Sequence, residues 1–82
     1  MKFLHIEEAK YLNDFTVWVR FSDGYEGEVD LQAELNGTIF QPLKEKSYFE
    51  TFTLIGHTLT WPNGADFAPE YIRSKMRQTQ TV

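Results

Sequence analysis

From residue 15 to residue 31 the chain alternates between apolar and polar positions. Phe15, Val17, Val19 and Phe21 are interleaved with Thr16, Trp18 and Arg20; after Ser22-Asp23-Gly24, Tyr25, Gly27, Val29 and Leu31 are interleaved with Glu26, Glu28 and Asp30. A period of two places successive side chains on opposite faces of a strand, so the segment predicts a β-hairpin with one apolar face. Loop length fixes the pairing. A two-residue Asp23-Gly24 turn would set Phe21 against Glu26 and Val19 against Glu28, bringing carboxylates into the apolar side. A three-residue loop with Gly24 in the left-handed region instead pairs Phe21 with Tyr25, Val19 with Gly27, Val17 with Val29 and Phe15 with Leu31. That register also sets Arg20 opposite Glu26 on the polar face, as an exposed cross-strand pair. Gly27 opposite Val19 marks a close approach or a bulge.

The stretch "FTLIGHTLTW" predicts a second hairpin, with Gly56-His57 as a two-residue turn of the type that takes glycine first. Leu54 then meets Leu59 and Phe52 meets Trp61, while Thr53, Ile55, Thr58 and Thr60 form a wetter face. "KFLHIEEAKYL" reads as a further strand turning back at Asn13-Asp14, but its alternation breaks at Glu7-Glu8 and its inward face is not assigned. "DLQAELNG" predicts one to two helical turns with Asp30 as N-cap, Leu31 and Leu35 on one side and Gly37 closing the end. "TIFQPLKEKSYFETF" predicts a brief extended piece stopped by Pro42, then a helical turn over residues 44–50 that buries Phe49. Pro69 suits the first turn of a closing helix that runs to about Arg77, with Phe67, Tyr71, Ile72 and Met76 on its apolar side. The expected architecture is α+β: one small domain over residues 1–77, with antiparallel hairpins, short helices and a C-terminal helix packed on the sheet. Residues 78–82 read as a flexible tail.

Composition narrows the function classes. Eighty-two residues are enough for one core, and an aromatic content of 16 % is enough to fill it without staples. Cysteine is absent, which removes thiol chemistry, Cys-ligated metals and disulfides. The opening "MKFLHIEEAKY" carries glutamates where a signal peptide needs an apolar run, and no stretch reaches membrane-spanning length. The expectation is a soluble, cytoplasmic protein without membrane attachment. A formal charge of −4 argues against a phosphate-neutralising surface. Arg73, Lys75 and Arg77 nonetheless cluster near the C-terminus, either as cations complementing a helix dipole or as a nucleic-acid contact, the second being disfavoured.

"TWPNGADFAPEY" stands out for its two prolines, Asn-Gly pair and two carboxylates. Pro62-Asn63-Gly64 reads as a turn, and Asp66 as the cap of the helix that starts at Pro69; truncating Asp66 should then cost about 0.5–2 kcal/mol. Alternatively Asn63, Asp66 and Glu70 are ligand-binding or catalytic, with Asp66 and Glu70 on one face. His5 and His57 have no second histidine within strand or helical reach, so the pattern supports no metal site, and no cofactor is implied. The serines lack a nucleophile elbow, and no glycine-rich phosphate loop is present. Trp18 lies on the polar face of the first hairpin beside Arg20 and across from Glu28. It is either covered by a helix or available as an anchor for a partner.

The succession "FSDGYEGEVDL", "GTIFQPLKEKSYF" and "LTWPNGADFAPE" resembles the bacterial domain-of-unknown-function family 2442 over nearly the whole chain. The resemblance implies an α+β domain with an antiparallel sheet. It is found alone or joined to a helix-turn-helix segment, has no established activity, and is suggested to act in toxin–antitoxin-like or regulatory pairs. The few residues beyond the last helix leave little length for a DNA-binding extension. Three classes follow. A non-catalytic protein-interaction or regulatory module, with a protein partner or as a homodimer, would use Trp18, Arg20, Glu26 and Glu28. A nucleic-acid regulator would use the three C-terminal cations, and a small ligand-binding protein or enzyme would use Asp66 and Glu70.

Overall fold

The computed structural model describes residues 4–76; Arg77 and the 78–82 tail lie outside the described residues. Three antiparallel strands, β1 (Ile6–Asn13), β2 (Thr16–Phe21) and β3 (Glu26–Asp30), form one sheet in that spatial order. The expected register holds at every pair, with Val17 opposite Val29, Val19 opposite Gly27 and Arg20 opposite Glu26. At its ends, Phe21 N–H donates to Tyr25 O at 2.8 Å and Leu31 N–H to Phe15 O at 2.9 Å. The loop holds for local reasons: Gly24 has φ 89°, and the Asp23 carboxylate accepts the Tyr25 N–H at 3.1 Å.

The broken alternation of β1 is a bulge. Ile6 lies opposite Phe21 but Glu8 opposite Arg20, so Glu7 is an extra residue and the inward phase passes from Ile6 to Ala9 and Tyr11. A second irregularity precedes the turn at Asp14, whose φ is 46°. Gly27 meets no backbone: a Cβ there would lie 3.2 Å from the Met76 methyl, so the close approach is to a side chain just past the closing helix.

After β3 the Asp30 carboxylate accepts the Gln32 N–H at 2.9 Å and opens a single 3₁₀ turn, Gln32–Glu34, flanked by buried Leu31 and Leu35. Gly37, with φ 95°, does not close this turn but starts the next one, a 3₁₀ segment over Thr38–Lys44 where an extended piece was expected. The reason is a three-residue period: Phe40 and Leu43 eclipse on one face of a 3₁₀ helix and both pack on the core, while Ile39 faces solvent. The next helix, α1 (Lys46–Phe49), buries Phe49 as expected.

β4 (Thr53–Ile55) and β5 (Thr58–Thr60) form the second hairpin with Leu54 opposite Leu59. Its turn has positive φ at both Gly56 and His57, 64° and 70°, which is the mirror-image type I geometry rather than the glycine-first type. The wetter face holds at Thr53 and Ile55, both exposed, but not at Thr58, and Leu54, expected on the apolar side, is exposed beside Ile55. Thr58 is buried, with its hydroxyl donating to the Phe67 carbonyl. The closing helix α2 (Pro69–Lys75) packs on the inner face at β3, burying Ile72, with Met76 buried just beyond its end. Both hairpins, the 3₁₀ segment and α2 contribute to one core centred on Trp61, Phe49, Phe21 and Leu59.

Candidate interaction face

Because β2 is the central strand and its odd-numbered side chains fill the core, its even-numbered ones project from the opposite face. Trp18 occupies the middle of that face, with Lys10 of β1 on one side and Glu28 of β3 on the other. The Lys10 ammonium lies 5.5 Å from the indole centroid. Arg20 does not bond Glu26, its cross-strand neighbour. Its guanidinium donates to Glu8 at 2.8 Å, because the bulge in β1 brings that carboxylate alongside on the same face. Glu26 and Glu28 are left exposed, with no cation within bonding distance among the described residues. None of the residues of this face is buried, from Glu8, Lys10 and Leu12 through Thr16, Trp18 and Arg20 to Glu26, Glu28 and Asp30. Trp18 itself is half-buried, and among the described residues the helix packed on this sheet, α2, lies against β3 on the opposite, inner face.

The proline-rich stretch is built differently from its sequence reading. Asn63 organises it: its carboxamide oxygen accepts the Ala65 N–H at 3.1 Å, and its amino group donates to Ile39 O at 2.9 Å. Asp66 does not cap α2. The N-cap is Ala68, without any side-chain bond, and Asp66 instead forms a lone antiparallel bridge with Thr60. The second short antiparallel pairing wins because it closes the Trp61–Ala65 turn, where Trp61 N–H donates to Ala65 O at 2.8 Å, before the helix can start.

Asp66 lines an open groove of about 470 Å³ together with Glu34, Phe40, Phe67 and Tyr71, but Glu70 does not. The expected carboxylate pair is therefore not assembled there. Glu34 is already engaged by the Tyr71 hydroxyl and lies 3.9 Å from the Lys75 ammonium. The bond to Glu34, aided by partial burial and the carboxylate's charge, raises the Tyr71 phenol above its ordinary value.

Of the C-terminal cations, Arg73 bonds the Asp23 carboxylate at 3.1 Å and stacks 3.9 Å from the Tyr25 ring centroid. Lys75 sits between Glu34 and the face of Tyr71. Neither is presented as a phosphate-binding row. His5 and His57, separated by 52 positions, stack with ring centroids 4.1 Å apart, because Ile6 N–H donates to His57 O at 2.9 Å and draws the second turn onto β1. The sequence carried no sign of this contact between distant segments. Among the described residues no group of three or more His, Asp or Glu side chains converges to hold a metal ion. No helix among them is long and apolar enough to cross a membrane.

A family model described as protein of unknown function (DUF2442) matches residues 6–78. Comparison with curated proteins gives no match, nor does comparison with solved structures.

Proposed function

The chain belongs to the DUF2442 family, whose description names no activity, so its function is to be sought in its geometry, and we propose that it is a non-catalytic protein-interaction module. The carrying observation is Trp18, a large aromatic placed centrally on a sheet face on which nothing is buried. Trp18 is half-buried, its indole reachable from solvent beside Arg20, and a solvent-reachable tryptophan next to an arginine is the chemistry from which interface hot spots are made. Arg20, Glu26 and Glu28 surround it and supply a polar rim. The role that fits is a regulatory or antitoxin-like partner of another small protein.

The test is partner capture from the native host with the full chain and with Trp18→Ala, followed by light scattering. The expected result is a defined complex that the substitution weakens by about tenfold or more, the range of a hot-spot truncation. Retention of the fold is checked by circular dichroism. A partnerless monomer, or a complex indifferent to Trp18→Ala, overturns the proposal. The interaction module is preferred to the nucleic-acid alternative because two of the three cations that reading uses, Arg73 and Lys75, face Asp23 and Glu34 of the same chain.

A further inference from the structure

The two bonds that close the β2–β3 ladder, Phe21 N–H to Tyr25 O and Leu31 N–H to Phe15 O, determine where every backbone group of β3 points. In an antiparallel pair the residues that exchange hydrogen bonds recur every second position. Tyr25, Gly27, Val29 and Leu31 therefore direct their N–H and C=O groups toward β2, and Glu26, Glu28 and Asp30 direct theirs away from it. β3 is the last strand of its sheet, and among the described residues the backbone groups of these three have no partner outside their own strand. The same three residues carry exposed carboxylates on the outer face. At the C-terminal end of β3 a hollow of about 330 Å³ is lined by Thr16, Glu28, Asp30 and Lys75.

An unpaired edge is a template for another strand. Its charge decides which strand. A residue pairing with Glu26, Glu28 or Asp30 has its own side chain on the same outer face, directly beside a carboxylate. A second copy of β3 would set carboxylates against carboxylates, so self-pairing is opposed. An incoming strand with Lys or Arg at alternate positions would instead meet an opposite charge at each step. Its intervening side chains would point inward, next to Tyr25, Val29 and the end of α2.

We propose that β3 binds an extended segment of a partner protein by strand addition, and that the carboxylates of Glu26, Glu28 and Asp30 select one carrying cations at every second residue. This rests on the interaction-module reading and assigns it a partner chemistry.

The experiment uses the ¹⁵N-labelled full chain and two synthetic heptapeptides, one alternating lysine with threonine and one alternating glutamate with threonine. In the free chain the amides of Glu26, Glu28 and Asp30 should exchange faster than those of Gly27 and Val29. The lysine peptide should protect those three amides and bind at least about tenfold more tightly than the glutamate peptide at low salt, the preference shrinking as salt is added. The double variant Glu26→Lys/Glu28→Lys should reverse the preference, and N-methylation of alternate peptide amides should abolish binding by removing the ladder donors. Slow exchange at the three amides in the free chain would show the edge already occupied and overturn the proposal. So would equal binding of the two peptides, no reversal in the double variant, or undiminished binding of the N-methylated peptide. If Trp18→Ala releases a captured partner while the peptides leave the edge unmoved, strand addition fails and the interaction module stands. The converse pattern retains the edge and removes the Trp18 face.

Discussion

Arg73, near the end of α2, clasps Asp23 in the loop of the first hairpin, its two terminal nitrogens 3.1 and 3.4 Å from the two carboxylate oxygens. Its guanidinium also lies over Tyr25 at 3.9 Å and Phe21 at 5.1 Å from the ring centroids. The contact ties together segments 50 residues apart. It turns a cation that looks like a nucleic-acid contact in the sequence into a latch between helix and hairpin. The Tyr25 N–H first, and then Arg73, hold the Asp23 carboxyl below its ordinary value.

Replacing Arg73 with alanine should lower stability at neutral pH by about 1 kcal/mol through loss of the ring contacts alone. The pH dependence follows from the direction of the Asp23 shift. A carboxyl with a depressed folded-state value contributes stability above its unfolded pKa of about 3.9 and loses it as pH falls through the folded value. Arg73→Ala should therefore shrink the acid-sensitive part of the urea midpoint below about pH 4, and Asp23→Asn should shrink it further because the Tyr25 bond is the larger cause. If both variants follow the parent's acid limb, the latch contributes nothing.

Tyr71 gives the opposite limb. Its phenol is raised by the bond to Glu34, so its contribution is complete below the unfolded value of about 10 and disappears as pH rises through the folded one. Tyr71→Phe keeps the ring, which stacks on Phe67 at 5.7 Å with an interplanar angle of 5°, and removes only the hydroxyl. The variant should be less stable than the parent at pH 8, with the gap closing as pH is raised above about 10. Denaturant titrations at the two pH values measure it; a constant gap would mean that the Glu34 bond does not form in solution.

Period and loop length carried the first hairpin. Apolar residues at every second position and a glycine at the only loop site needing positive φ left one register without buried carboxylates, and β2 and β3 adopt it. The second hairpin was legible for the same reason in its pairing, but not in its turn, since nothing local announces that His57 will accept φ of 70°. Residues 38–44 misled because Pro42 reads as a stop, whereas the pair Phe40 and Leu43 is served by a three-residue period. Alternation alone puts Trp18 on the polar face, where it lies, but what covers it depends on where the helices pack. Arg20, Arg73 and His5 found their contacts through β1 and α2, partners set by tertiary structure. No spacing along the chain encodes those.

The turn at residues 62–65 separates two candidates for what holds the proline-rich joint. Asn63 makes two side-chain bonds, to Ala65 N–H and Ile39 O, and the second ties the turn to the 3₁₀ segment. Asp66 caps nothing. Asn63→Ala should cost about 1–2 kcal/mol for the two lost bonds, and Asp66→Ala less than about 0.5 kcal/mol. Thermal unfolding of both variants is sufficient. A larger loss at Asp66 would restore the capping role that the sequence suggested.

The largest single loss should come from Trp61. Its indole N–H donates to Phe49 O at 2.7 Å, and its ring meets Phe49, Phe52 and Phe67 at centroid distances of 5.5, 6.0 and 5.9 Å. Those contacts join β5 and the following turn to α1. Trp61→Phe removes the donor and leaves the Phe49 carbonyl buried without its partner, and it also leaves unfilled the space of the missing pyrrole ring. The two effects together should cost about 2–4 kcal/mol. In a chain this short that lowers the melting temperature by more than about 10 °C, and Trp61→Tyr should not rescue it unless the phenol reaches the same carbonyl. Calorimetry on the two variants decides the matter: a loss below about 1 kcal/mol for Trp61→Phe would mean that the aromatic cluster repacks freely and that no single contact organises the core.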